Sequence, residues 1–367
     1  MSTYDEVSRT QLRALSHAIG QARVTAKYVD LQKLLLQPWS TRQVPSSTPY
    51  PSMIGDDHSP YEYSVAYGEK GAELRLLFEA QAEEPSLAAN HAEALRVNER
   101  LRTRLGVSLS RFECVADLFT VPSSAPSQGF SLWHAACLSP TGRPDFKIYL
   151  NPQLHGSEAA PELVDEVLCR LGLSEARASL AQLRFRGPEL DELKYLSLDL
   201  SEAPRARLKI YTCHHQVTPS ELERSLSVAP SHRPGDASKF CATMAPQVTS
   251  FRAKSISSCL AFVAGSSTPY TATLHLPIAH YAESDAVARR RIDAFMAENR
   301  MDQLVHKRVL RAIARRPLHE SSGVQSYASY RREESGLRLT VYLSPELFRG
   351  RAVVPVEGRG RGARIAG

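Results

Sequence analysis

Four short segments, FKIYL (146–150), LKIYT (208–212), ATLHL (272–276) and LTVYL (339–343), repeat a pattern of a charged or polar side chain two residues before an aromatic ring, with LRLLF (74–78) as a degenerate fifth. The four start at residues 146, 208, 272 and 339, a nearly constant spacing of 62 to 67 residues. Side chains two apart share one face of a strand. Arg75, Lys147, Lys209, Thr273 and Thr340 therefore form one row, and Leu77, Tyr149, Tyr211, His275 and Tyr342 the next. Glu73, Asp145, Arg207, Thr271 and Arg338 form a third. Lys147, Arg207 and Lys209, with Arg75 on the other flank, are donors that would hold a diphosphate and stabilise it as a leaving group without a metal. Tyr149, Tyr211, His275 and Tyr342, with Tyr327 on the preceding strand, would ring the adjoining space. Aromatic faces stabilise a cation by up to about 2 kcal/mol when desolvated, and they exclude water. Cations beside an aromatic collar are what an allylic carbocation requires.

Each residue also has an ordinary reading. A polar face is usually the solvent side of a sheet, and a single tyrosine usually packs. Recurrence at equivalent positions is what favours the chemical reading. Glu62, in SPYEYSVAY (59–67), opens the first strand between Tyr61 and Tyr63. Facing a chamber, its carboxylate would accept a hydrogen bond from an N–H or O–H of an aromatic substrate and enrich that ring as a nucleophile; facing out, it is an edge glutamate.

The elements that must position these rows follow from the alternate residues. Leu76, Ile148, Ile210, Leu274 and Val341 need an apolar layer such as packed helices. Strand pairs are expected at 62–68 with 73–79, 129–138 with 145–151, 192–200 with 206–213, 256–264 with 270–277 and 324–331 with 336–343, each joined by a Gly, Pro or Ser-rich break. Helical patterns occupy most of the first 37 residues and 87–105, 159–186, 218–247 and 283–315. In 282–300, Ala286, Val287, Ile292, Phe295 and Met296 mark a buried face, and Arg289–Arg291 a solvated one. A supersecondary unit repeated five times implies one closed architecture. Ten antiparallel strands can close into a barrel without free edges, wide enough inside for a small ligand.

Composition narrows the rest. The chain has 367 residues, 43% of them hydrophobic, and a net charge of +6, which suits a negatively charged partner. Cys114, Cys137, Cys169, Cys213, Cys241 and Cys259 show no C-x-x-C or other metal-ligand spacing, pointing to a reducing, cytoplasmic setting. Asp56 and Asp57 are weak metal ligands by spacing, and His214 and His215 are neighbours on opposite faces. No apolar run would span a bilayer. Nucleophile-elbow, Walker A, dinucleotide-binding and H-E-x-x-H patterns are absent from the sequence. RGRGARIAG at the C-terminus has the composition of a flexible tail, with too few repeats to imply RNA binding.

IGDDHSPYEYSVAY, RPDFKIYLNP, RARLKIYTCH, TLHLPIAHYAESDA and SYASYRREESGLRLTVYLSPE together resemble the dimethylallyltryptophan synthase family of indole prenyltransferases in its short bacterial form. The resemblance runs from about residue 54 to 348. It implies an α+β ABBA barrel of five ααββ repeats around a solvent-filled core, and metal-independent transfer of dimethylallyl from its diphosphate to the indole of L-tryptophan or a derivative. It assigns Glu62 to the indole N–H, Arg75, Lys147, Arg207 and Lys209 to diphosphate, and Tyr149, Tyr211 and Tyr342 to the cation shield. Thr273 and His275 stand where many relatives carry a Gln-x-Tyr pair. For the last repeat, strand parity with Tyr327 selects Arg331 over Arg332 as a diphosphate ligand.

The expectation is a single domain over 1–348, with its N-terminal segment 1–40 packed on the barrel and 349–367 as tail. No cofactor is expected beyond dimethylallyl diphosphate as co-substrate. No nucleic-acid or membrane partner is expected either, and the chain would be a monomer or homodimer. The alternatives are transfer to another aromatic (a phenol, a phenazine or an indole-containing peptide) and a non-catalytic barrel that binds a phospholigand or RNA.

Overall fold

The computed structural model describes residues 2–69, 71–123, 129–139, 143–333 and 336–348. The expected tail, 349–367, lies outside the described residues. Helices α1 (Tyr4–Ala18) and α2 (Thr25–Leu36) precede the hairpin β1 (Tyr61–Gly68) and β2 (Gly71–Phe78). The pattern then repeats. Helices α3 (Leu87–Leu105) and a single turn, α4 (Ser110–Glu113), lead to β3 (Leu132–Leu138) and β4 (Asp145–Leu150). Helices α5 (Ala160–Arg170) and α6 (Ala176–Leu183) lead to β5 (Asp191–Asp199) and β6 (Arg207–His214). Helices α7 (Pro219–Leu226) and α8 (Asp236–Met244) lead to β7 (Ile256–Val263) and β8 (Thr271–Leu276). Helices α9 (Asp285–Glu298) and α10 (Gln303–Ile313) lead to β9 (Gln325–Glu333) and β10 (Gly336–Leu343).

All ten strands are antiparallel and close into one barrel, β10 pairing with β1. This is the closed ten-stranded barrel expected from the repeat, in the α+β ABBA arrangement that the resemblance implies. Local chemistry sets the boundaries. A Thr3–Glu6 capping box starts α1, and a Thr218–Glu221 box with Pro219 in the first turn starts α7. Gly106 ends α3 in the left-handed region at φ 63°. Gly336, φ 112°, opens β10 where a Cβ would come within 2.9 Å of Glu69.

The apolar core lies between barrel and helices. Leu76, Ile148, Ile210, Leu274 and Val341 are all buried in it. On β1 the outward residues are aromatic and tie the N-terminal helices down. The Tyr61 hydroxyl donates to Gln11 at 3.0 Å, and the Tyr63 hydroxyl donates to the Ser8 carbonyl at 2.8 Å. On α9 the buried residues are Asp285, Ala288, Ile292, Phe295 and Met296, so the face is rotated from the expected Ala286 and Val287. The three-arginine run is not uniformly solvated, because Arg291 donates to the carbonyls of Met244 and Tyr281.

Inside, small residues alternate with the charged and aromatic ones: Ser64, Ala135, Cys137, Ser197, Cys259, Thr273, Ser329 and Thr340. They keep the barrel open. Lys147 lies opposite Asp199, which follows the pairing line to Arg207, whereas Lys209 sits one inward position further along β6. Equivalent positions in successive repeats are thus offset by two residues along the hydrogen-bond line, the stagger that a tilted closed barrel requires.

Candidate active site

The barrel encloses about 580 Å³ of space, part of it open to solvent, lined by Glu62, Arg75, Lys147, Tyr149, Lys209, Tyr211, His275, Arg331 and Tyr342 among others. Nine of the eleven residues singled out from the sequence therefore share one cavity. Arg207 and Tyr327 are not among its lining residues.

At one end the cations are held by carboxylates. Asp199 accepts from Lys147 Nζ at 2.5 Å and from Arg207 Nε at 2.8 Å. Glu73 pairs with Arg75 at 2.7 Å and Arg338 at 3.0 Å, and Glu333 pairs with Arg331 at 2.5 Å. Burial works to raise the Asp199 and Glu73 carboxyls, but Lys147 with Arg207, and Arg75 with Arg338, hold both below the usual range. Among the described residues, no carboxylate pairs with Lys209. Burial, then Lys147 and Arg207, push its ammonium well below the usual lysine value. Five cations thus share three carboxylates, with Lys209 beside them, and the excess of basic groups makes a pocket suited to a diphosphate.

Above the cations runs an arc of rings. Trp133 and Tyr195 have centroids 5.6 Å apart, Tyr195 and Tyr211 5.9 Å, Tyr211 and His275 5.6 Å, His275 and Tyr342 5.9 Å, and Tyr342 and Tyr327 6.2 Å. Tyr149 joins it 5.9 Å from Tyr211. Burial, followed by Lys209 and Arg331, lowers His275 to about 3. It is a neutral ring, and Tyr342 Oη lies 3.2 Å from its Nδ1.

Trp133 and Tyr195 were not anticipated. They lie across from Tyr149 and Tyr211 in the hairpins, so pairing parity on the first strand of each hairpin would have found them. The same parity explains the gap at Leu77, because its partner is Glu62.

Glu62 is buried and accepts from the Ser326 hydroxyl at 2.6 Å. A β-bulge makes this contact possible. Val341 pairs with Ala328 and Leu343 with Gln325, so Ser326 and Tyr327 together oppose Tyr342. Burial raises Glu62 to about 8 against the pull of Ser326, with Asp57 and Asp56 adding to the rise. Asp56 itself pairs with Lys254 and with His280 at 2.7 Å, tying the loop before β1 to the residues flanking β7 and β8.

His214 and His215 part as expected: the first is buried between Asp191 and Ser258, the second meets Glu192 at 3.1 Å. Among the described residues, Glu192, Cys213 and His215 place donor atoms within 4.8 Å of one another, a grouping of metal-ligand residue types that the sequence reading did not name. Cross-strand pairing assembles it, which linear spacing does not reveal. Among the described residues, no helix is long and apolar enough to cross a membrane.

Residues 34–309 match the tryptophan dimethylallyltransferase family. The 6-dimethylallyltryptophan synthase from Micromonospora olivasterospora, solved in complex with DMASPP and Trp, superposes with a TM-score of 0.89 at 30% identity, over 95% of this chain and 99% of that one. The 5-dimethylallyltryptophan synthase from Streptomyces coelicolor gives 0.87 at 28% identity, over 95% and 99%. The prenyltransferase PriB, in a ternary complex with L-tryptophan and dimethylallyl thiolodiphosphate, gives 0.85 at 29% identity, over 95% and 98%. With three quarters of its length matching and its barrel shared throughout, this chain belongs to the tryptophan dimethylallyltransferase family.

Proposed function

We propose that the protein transfers a dimethylallyl group from dimethylallyl diphosphate to the indole ring of L-tryptophan or a tryptophan derivative. The observation that carries this is the stacking, in one cavity, of a cation cluster, an arc of aromatic rings and a buried carboxylate. Arg75, Lys147, Lys209 and Arg331 take the diphosphate, and Arg207 acts from behind by sharing Asp199 with Lys147. The allylic C–O bond breaks and its electron pair leaves with the diphosphate, whose charge the cations stabilise in place of a metal. Tyr149, Tyr211, His275 and Tyr342 shelter the carbocation, with Tyr327 behind Tyr342. Glu62 accepts the indole N–H, strongest as a carboxylate, and the ring carbon forms the new C–C bond before losing its proton.

Tyr4 of α1 and Leu343 of β10 belong to the same hydrophobic core cluster, which supports a single domain. Six unpaired cysteines support a reducing cytoplasm.

Incubation with dimethylallyl diphosphate and L-tryptophan in excess EDTA tests the reading. A tryptophan product heavier by one C5H8 unit is expected. Turnover only with a phenol, a phenazine or an indole-containing peptide would reassign the acceptor, and no turnover with any aromatic would leave a binding barrel.

A further inference from the structure

We propose that Glu192, Cys213 and His215 form an open three-ligand site for a thiophilic divalent cation of the zinc type. Glu192 and Cys213 are cross-strand partners at the end of the β5–β6 hairpin, and His215 follows immediately after β6. Their donor atoms lie within 4.8 Å of one another, close enough for a single ion to touch all three. His215 Nε2 stands 3.1 Å from Glu192 Oε2, the contact that a bound ion would replace.

The surroundings orient the ligands. Ser255 Oγ lies 2.8 Å from His215 Nδ1, and Gln153 donates to Glu192 Oε1 at 2.7 Å, so the outer atoms of both ligands are already engaged. All three residues are partly exposed, giving an ion a route in. One sulfur, one nitrogen and one oxygen ligand with a remaining open position describe an accessible zinc-type site, and the thiolate disfavours magnesium and calcium. Lys194 opposes it, with Nζ 3.7 Å from Glu192 Oε1 on a half-exposed stem that can swing aside.

On β6 the inward order is Arg207, Lys209, Tyr211, Cys213. The site therefore lies beyond the aromatic arc, at the opposite end of the chamber from the diphosphate cations. Donor ionisation does not involve it, and the inference stands apart from the acceptor assignment.

Cobalt(II) titration of metal-stripped protein, with a non-chelating reductant, is the test. To remove the exposed thiols, the background carries Cys114→Ser and Cys169→Ser. One equivalent should bind and give the near-ultraviolet thiolate-to-cobalt absorption. Cys213→Ser should abolish that band, and His215→Ala and Glu192→Gln should weaken it. Ser255→Ala should lower affinity about 10-fold, zinc should displace cobalt, and excess magnesium should not. Lys194→Ala should bind more tightly, a gain that a merely structural cluster would not give. Absence of the band in the folded parent, or a band of equal strength in folded Cys213→Ser, would overturn the site.

Discussion

The Lys147 ammonium stands 2.5 Å from the Asp199 carboxylate, while Lys209, its equivalent in the next repeat, has no carboxylate partner among the described residues. The repeat supplies two identical cations, and a single residue at the end of β5 makes them different. One is fixed by its ion pair. The other is buried among cations and poised to lose its proton.

Asp199→Asn should therefore destabilise the ligand-free protein by about 3 kcal/mol, because buried Lys147 and half-buried Arg207 are left without their counter-ion. Inorganic diphosphate should restore more melting temperature in the variant than in the parent, since it supplies the missing negative charge. Thermal unfolding with and without diphosphate checks both. An equal diphosphate shift in the two proteins would show that the cluster faces another ligand.

Lys209 predicts how donor use depends on pH. Its folded pKa is depressed, so raising the pH neutralises it in the free protein, and diphosphate must then bring a proton with it. Donor affinity should fall as pH rises through that depressed value. In Lys209→Arg the fall should disappear, and Lys209→Ala should mainly raise the donor KM. The pH profile of donor kcat/KM is the readout.

Glu62 predicts the opposite slope on the acceptor side. Its folded pKa is raised to about 8, so acceptor kcat/KM should climb through pH 8 as the carboxylate forms, and Glu62→Gln should be slow and lack the climb. The sign for stability is reversed. The folded protein holds a proton that the unfolded chain releases above its ordinary glutamate value, so folding stability falls as pH rises from there to about 8. Chemical denaturation should show Glu62→Gln gaining on the parent across that window.

Removing an aromatic face should expose the carbocation to water. Tyr211 touches Tyr149, Tyr195 and His275, and Tyr211→Ala should raise the ratio of dimethylallyl alcohol to prenylated product. Loss of about 2 kcal/mol of cation stabilisation corresponds to roughly 30-fold in rate. Product chromatography measures the partition.

Much of this was legible in the sequence because strand parity and the repeat both constrain the same residues. Lys147, Tyr149, Lys209 and Tyr211 could be put in rows without knowing how strands pair. What escaped depends on pairing across strands. Trp133 and Tyr195 belong to the arc because they lie opposite Tyr149 and Tyr211. Ser326 reaches Glu62 only through the bulge beside Tyr342. The Glu192, Cys213 and His215 group needs the β5–β6 register. Arg207 was placed on the correct face, but its withdrawal to Asp199 depends on the barrel stagger.

A crystal structure with L-tryptophan and a non-cleavable thiolo analogue of dimethylallyl diphosphate tests the central claim most directly. The account predicts diphosphate oxygens among Arg75, Lys147, Lys209 and Arg331, the indole N–H on Glu62, and the dimethylallyl carbons beside Tyr211 and His275. Diphosphate density at any other place in the barrel, or an indole that leaves Glu62 bonded only to Ser326, would contradict it.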